Sequence, residues 1–485
     1  MVFSSLIFLY AFLPLSLLVY VLCKGREAKN MSLLVFSLIF YAWGEPKYVL
    51  LLMFMSLCSW FCALRVERAA SRKGKRSWVA VSCAIDIALI GFFKYAGLIC
   101  SVFGEVPEFI ANIALPIGIS FYTFQLLTYV VDVYRGDAEA QPSYLNVLLY
   151  ASLFHQCVAG PIVRYKTIAH ELFVERDSRD LLSGISRFSV GLAKKTLLAN
   201  PCGALADQLL LSTDAASNAS LFAENLASLS ELSALGAWVG VAAFMMQIYL
   251  DFSAYSDMAI GMGRMLGLHY LENFDYPYLS KTVTEFWRRW HISLGTFFRD
   301  YVYIPLGGRQ CSKARSVFNL FVVWALTGLW HGAHWNFVLW GLYFFVFILI
   351  ERLFLKRLFA KLRILPHIYL LFVVFVGWIL FHFTDVRLGW TVFLGLFGAN
   401  GNAATDFVSI TLLKNNVFLL AVSAVACTPL VKTMANGAGT RLRRSRSGQR
   451  LCDLTAHVVF PIIFLLLSTA SLVGDSYNPF IYFQF

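Results

Sequence analysis

Hydrophobic residues gather into a dozen stretches, at 3–23, 31–43, 48–64, 78–103, 117–133, 184–210, 235–250, 317–330, 335–350, 368–383, 415–431 and 458–472, separated by short polar turns. About 20 apolar residues in a helix cross a hydrocarbon core of about 30 Å. The repetition therefore predicts an all-α, polytopic integral membrane protein with about a dozen transmembrane helices. Several stretches are short for a span, and Lys194 and Lys195 interrupt another, so tilted, broken, re-entrant and amphipathic helices are expected beside the full spans. The first stretch has no basic flank before it and no plausible cleavage site after it, and reads as a retained span. No repeat, linker or low-complexity tract marks a soluble module. Residues 1–485 are expected to form a single membrane domain, with 474–485 as a tail.

Composition agrees. Hydrophobic residues make up 59% and charged residues 14% of the 485, outside the range of soluble domains. The net charge of +12 is carried by short clusters between apolar stretches, which suits cytoplasmic anchoring against anionic membrane lipid rather than nucleic acid. The bases of 24–29, 65–76, 164–195, 288–315, 352–363 and 441–450 are expected on the inner side, and the base-free 211–231 on the outer side. By alternation the N-terminus and the tail both face out, and 145–161 dips in and returns. Ten cysteines lie scattered in or beside apolar runs. No CxxC meets a second ligand set, so a metal is not expected.

Three blocks carry chemistry. The first is Glu285-Phe-Trp-Arg-Arg-Trp-His291, continuing through Arg299 and Asp300 to Gly307-Gly308. Its mixture of aromatic residues with Arg288, Arg289 and Arg299 reads as an interfacial segment in the headgroup layer. A basic, aromatic-lined floor suits a ligand carrying phosphates, although snorkelling lipid anchors use the same residues. The second block is Leu326-Thr-Gly-Leu-Trp-His331-Gly-Ala-His334-Trp-Asn336. Histidine is rare at membrane depth, and burial favours the uncharged imidazole that a general base needs. A hydrogen-bonded core histidine is the competing reading. His331 and His334 share a helical face, but no carboxylate or cysteine completes a metal set. The third block, 247–261, places Asp251 and Tyr255 on one face and Ser253 and Asp257 on another. It is expected to be a structural polar network, with Arg264 or the floor arginines as partners. Asp86 and Lys94 share an apolar stretch and are expected to pair.

Together the blocks resemble the membrane-bound O-acyltransferase family, most closely its alginate O-acetylase branch. The resemblance runs through Phe40-Tyr-Ala-Trp-Gly-Glu-Pro-Lys47, Leu115-Pro-Ile-Gly-Ile-Ser-Phe-Tyr-Thr-Phe-Gln125, Asp132-Val-Tyr-Arg-Gly136, Ala159-Gly-Pro-Ile-Val-Arg164, Arg289-Trp-His291 and Leu329-Trp-His331-Gly332. It implies a helical fold forming a through-membrane funnel, with His331 as the catalytic histidine and His291 in support. The floor residues Arg288, Arg289, Trp290, Arg299, Trp330 and Asn336 are then expected to bind the donor. Two departures stand out: His334, and His155 within Phe154-His155-Gln156, where proline is more usual.

The tail Phe480-Ile-Tyr482-Phe-Gln-Phe485 resembles the Phe-x-Tyr-x-x-Phe motif of the small membrane peptide of teichoic-acid D-alanylation. It suggests that Tyr482 accepts the acyl group. The function implied is transfer of an acyl group, acetyl by resemblance, from a cytosolic thioester such as acetyl-coenzyme A, with no bound cofactor. The acceptor is expected to be a cell-surface glycan such as alginate or peptidoglycan, reached through an extracytoplasmic SGNH-type O-acetyltransferase partner. The setting implied is the bacterial inner membrane, with the C-terminus extracytoplasmic. D-alanyl transfer from a carrier protein remains open, as does a polysaccharide transporter with ionisable residues in broken helices.

Overall fold

Within lipid the backbone must satisfy its own hydrogen bonds, which leaves helices as the solution for apolar stretches of this length. The computed structural model describes residues 2–158, 160–174, 176, 180–211, 219–359, 361–474 and 477–479; among them the chain is helical and contains no strand. Seven helices among these residues are long and apolar enough to cross a membrane: Val49–Arg68, Arg72–Phe103, Ala234–Met265, Trp335–Phe359, Leu365–His382, Phe407–Ala426 and Arg446–Gly474. Phe8–Leu22 is a shorter apolar helix. The chain is a multi-pass helical membrane protein. The other apolar stretches occupy shorter or interrupted helices. The stretch 184–210 contains a π-helical turn, Lys194–Ala199, between Leu181–Ala193 and Asn200–Leu209. The arginine-rich floor is three short helices, Val283–Arg289, Ile292–Phe298 and Arg299–Tyr303, ended as its Pro-Leu-Gly-Gly sequence predicts by Gly307 and Gly308 at φ 109° and 57°.

The described chain divides into two compact units. The first comprises Met1–Leu192, Tyr255–Glu272 and Thr455–Leu472. Its helices Val49–Arg68, Arg72–Ile90 and Ile119–Arg135 pack mutually. An aromatic cluster of Phe3, Phe8, Phe12, Phe40 and Phe154 fills its interior, and Tyr255 stacks on Phe3 at 5.0 Å. The segment expected to dip and return folds as Tyr144–Ser152, a break at Leu153, and the buried turn Phe154–Cys157. His155 in that turn meets the Tyr270 hydroxyl at 2.7 Å, so this departure from the family pattern is a hydrogen-bonded core histidine. The expected Asp86–Lys94 pair does not form. Lys94 donates to Ser120 Oγ at 3.2 Å, whereas the buried Asp86 carboxylate has no partner among the described residues. Eight residues along a helix lie about 12 Å apart, too far for contact.

A cross-link within this unit centres on Arg187. Its guanidinium reaches Asp257 Oδ1 at 2.7 Å and both carboxylate oxygens of Glu272 at 3.0 and 2.6 Å. Arg264, proposed from sequence as a partner for these acids, instead donates to Ser183. Arg187→Leu leaves two carboxylates against an apolar side chain and is expected to cost about 2 kcal/mol, between the values for exposed and buried pairs. Thermal unfolding of the purified protein in detergent measures this; an unchanged midpoint would show that the network does not hold the unit together.

The second unit comprises Ala193–Ala254, Asn273–Leu454 and Val473–Phe485. Its centre is the hairpin of Lys313–His331 and Trp335–Phe359, against which Leu365–His382 packs. Two glycines set the spacing of the hairpin. A Cβ on Gly328 would lie 2.4 Å from Phe337 O, and one on Gly341 would lie 2.4 Å from Trp324 O. The buried Glu351 accepts from the Val283 and Thr284 amides at 2.5 and 3.2 Å, which ties the floor's first helix to the hairpin.

Candidate active site

His331 is the last residue of the helix Lys313–His331, and the chain turns at Gly332 into the next helix. The turn is tight, since a Cβ on Gly332 would collide with the Phe337 ring at 2.2 Å. The imidazole is 2% exposed and packs among Trp330, Trp340 and Phe381, with centroids at 4.9, 4.8 and 5.4 Å. Asn336 is fully buried, and its amide donates to the Leu380 and Phe381 carbonyls at 3.2 and 3.4 Å. The structure gives it the work of fixing Phe381 against the histidine. His334 caps the second helix from an extended backbone and lies outside this ring cluster.

His291 occupies the break between two floor helices, at φ 46°, an unusual region for a residue with a side chain. It is also 2% exposed. Its ring contacts Phe252 at 4.7 Å and Trp330 at 5.6 Å, so Trp330 is the shared neighbour of the two histidines. The strained turn is held by Asn273. The Asn273 carbonyl accepts from the Ile292 amide, and Asn273 Oδ1 accepts from the Ser293 amide and hydroxyl at 3.0 and 2.9 Å. His291 Nδ1 lies 3.3 Å from the same Oδ1. Because that oxygen can only accept, the network assigns the proton to Nδ1 and leaves Nε2 as the ring's acceptor. His291 lies outside the membrane-spanning helices, and burial pushes its pKa down to about 3.

The remaining floor residues divide in two. Trp290 is buried among Tyr249, Phe274, Phe286 and Trp378, a packing position. Arg289 is paired with Glu285 at 2.8 Å, and Arg299 with Asp300 at 2.6 Å. Arg288 is exposed and has no carboxylate partner among the described residues.

Asp251 and Asp257 find partners that sequence reasoning assigned elsewhere. Asp251 Oδ1 lies 2.7 Å from Lys195 Nζ, both side chains being 1% exposed, and Asp257 belongs to the Arg187 network. The bases come from the 187–195 segment rather than from Arg264 or the floor. Tyr482 lies outside the described residues. The residues just before it, Tyr477–Pro479, are described and lie against Asp207, Asn200 and Lys195. Sequence reasoning missed Asn273, Lys195 and Tyr477. Two adjacent lysines inside an apolar run were the visible signal for Lys195; nothing local marks Asn273.

The profile of the membrane-bound O-acyltransferase family matches residues 137–393, which contain both histidines. The protein named "probable alginate O-acetylase AlgI" of Azotobacter vinelandii is 34% identical over the full length of both chains. The peptidoglycan O-acetyltransferase of Helicobacter pylori is 30% identical over 83% of this chain and 80% of its own. The teichoic acid D-alanyltransferase of Bacillus subtilis is 26% identical over 48% of this chain and 58% of its own.

Burial of His291 has a consequence for acid stability. The unfolded ring takes up a proton near pH 6.5, whereas the folded one resists until about 3. The contribution of the neutral ring is therefore complete above pH 6.5 and is lost as the pH falls toward 3, by at most about 1.4 kcal/mol per pH unit. His155, also pushed down to about 3 by burial, acts in the same direction. His291→Gln is expected to flatten the decline of unfolding midpoint between pH 6.5 and 4 by one proton's worth. An acid limb as steep as that of the unaltered protein would mean that the ring is already charged when folded.

Proposed function

Since the chain belongs to the membrane-bound O-acyltransferase family, in its alginate O-acetylase branch, and is an O-acyltransferase, we propose that it moves an acetyl group from a cytosolic thioester, acetyl-coenzyme A, to an acceptor on the other side of the bacterial inner membrane. The observation that carries this reading is the buried His331, ringed by Trp330, Trp340 and Phe381 and sharing Trp330 with His291. A ring enclosed by aromatic side chains is favoured in its neutral form, ready to take a proton. A relay through such a site avoids carrying a charged coenzyme through lipid, since only the uncharged acyl group crosses.

In the proposed sequence the Tyr482 hydroxyl attacks the thioester carbonyl while His331 accepts the phenolic proton. The carbon–sulfur bond breaks, the departing thiolate takes that proton from His331, and Tyr482 holds the acyl group as an aryl ester. Phenolate, with a pKa of about 10, is a better leaving group than an alkoxide, which makes the ester a competent donor. A hydroxyl of an extracytoplasmic partner, expected to be an SGNH-type O-acetyltransferase, then attacks the ester carbonyl. The bond between the acyl carbon and the tyrosyl oxygen breaks, the hydroxyl's proton passes to the departing phenolate to regenerate the tyrosine, and the partner passes the group on to a surface polysaccharide. Names of full-length relatives point to alginate, and that of another to peptidoglycan; a surface glycan is the common element. The exposed Arg288 suits a phosphate of the donor. Arg289 and Arg299 are held by neighbouring carboxylates and would have to exchange them for it. The described tail residues support the role of Tyr482. At most about 10 Å of backbone separates Pro479 from Tyr482, and Pro479 is bound at Lys195, whose partner Asp251 adjoins the His291 neighbour Phe252. D-alanyl transfer is the weaker reading, because the relative named for it matches about half of this chain.

The test is radiolabelled acetyl-coenzyme A supplied to inverted membrane vesicles. Label is expected on the C-terminal peptide, lost at least a thousandfold in His331→Ala and absent from that peptide in Tyr482→Phe. Normal delivery of acetyl groups by Tyr482→Phe would remove the tyrosyl ester, and unimpaired labelling in His331→Ala would remove the assigned base.

A further inference from the structure

The helix leading from Lys194 to Leu209 offers an unusual row of side chains to the end of its own chain. At one end Asp207 accepts from the Tyr477 hydroxyl at 2.5 Å. One turn earlier Gly203 leaves space, since a Cβ there would lie 2.8 Å from the same hydroxyl and 2.4 Å from Gln247 Nε2. Asn200 comes next, its amide donating to the Tyr477 carbonyl and to Asn478 Oδ1, both at 3.2 Å. Lys195 completes the row by donating to the Pro479 carbonyl. Residues 477 to 479 thus run antiparallel to the helix, from Asp207 toward its buried beginning.

Regular α-helical geometry would turn Lys195 away from Asn200, since five residues advance the helix by 500°. The π-helical turn Lys194–Ala199 changes the register, with the Asn200 amide bonded to the Lys195 carbonyl. Such turns occur mostly as single insertions in α-helices and frequently mark functional sites. The ammonium is then fixed from its other side by Asp251 at 2.7 Å, with both side chains 1% exposed. A buried pair of this kind costs desolvation that its Coulomb attraction repays only when further hydrogen bonds complete it. The Pro479 carbonyl is such a bond.

We propose that the Asp207–Asn200–Lys195 face is a docking rail for the C-terminal tail, and that Lys195, held by Asp251, is a positioning residue that sets the tail's depth. This rests on the reading of the tail as the acyl-accepting arm, and extends it. Residues 477–479 are tethered to one helix at three points, by Asp207, Asn200 and Lys195, and this attachment sets the register in which the acyl-accepting arm is presented. Orientation of this kind raises the rate of transfer without tightening the donor.

Two measurements separate the rail from the acyl chemistry. First, Tyr477 is replaced by the photoreactive p-benzoylphenylalanine in the full chain in membranes, and cross-links are mapped by mass spectrometry. Cross-linking to the peptide containing Asn200–Leu209 is expected, whatever the activity of Tyr482→Phe; cross-links confined to lipid or to other helices would overturn the rail. Second, Asn200→Ala and the charge-neutral double variant Lys195→Met/Asp251→Leu are assayed with acetyl-coenzyme A. Acetylation of the C-terminal peptide is expected to fall at least tenfold in kcat with KM for the donor unchanged, and Lys195→Arg is expected to recover most of it. The double variant removes both charges together, so it leaves no buried charge unpaired. If these variants acetylate at the normal rate while Tyr482→Phe is inactive, the rail is wrong and the acyl arm stands. If Tyr482→Phe is fully active but the photo-cross-link forms, the tail docks without carrying the acyl group, and Lys195 loses its positioning role.

Discussion

Polar groups buried in a membrane-spanning chain have no bulk water to fall back on, so a partner within the protein greatly lowers the cost of burying them. This constraint organises the structure around its chemistry. Asn273 absorbs the polar demands of the strained turn at His291. Asn336 closes on two carbonyls of the neighbouring helix, and Lys195 shares its charge with Asp251 and a tail carbonyl. None of these residues need touch a substrate to matter. They hold the neighbours of the two histidines in place.

The aromatic lining follows from the same constraint. Trp330, Trp340 and Phe381 enclose His331 with flat, rigid surfaces, and apolar surroundings of this kind favour a neutral imidazole. The glycines Gly328, Gly332 and Gly341 allow the cage to be this close, because each lies where a side chain would strike a neighbouring backbone or ring. His331 therefore lies deep in apolar surroundings while polar fixtures such as Asn336 sit close beside the cage.

Departures between sequence expectation and structure share a physical origin. Asp251 and Asp257 were visible as acids needing cations, but helical spacing relates only residues within one helix. Their partners Lys195 and Arg187 come from a separate helix, and nothing in the local pattern indicates which way that helix faces. The π-turn at Lys194–Ala199 deepens the difficulty, since it rotates Lys195 to a side that regular α-helical counting does not predict. Asp86 and Lys94 show the converse case, in which neighbouring charges on one apolar helix do not meet. Trp290 and Asn336, expected from sequence to line a donor site, make contacts the local pattern does not specify, Trp290 packing among aromatic rings and Asn336 donating to two carbonyls of another helix.

Sequence alone determined the class of solvent this chain lives in, its helical character, the family and the identity of His331 and His291 as its unusual histidines. Those properties are written in composition, in runs about 20 residues long and in short motifs, all of which are local. Only the tertiary structure decided that Trp330 lies between the two rings, that Asn273 holds the turn at His291 and that the described end of the tail lies along Asp207, Asn200 and Lys195. Each of these joins residues tens to hundreds of positions apart, and their meeting depends on helix rotation and packing, which hydrophobic periodicity leaves open.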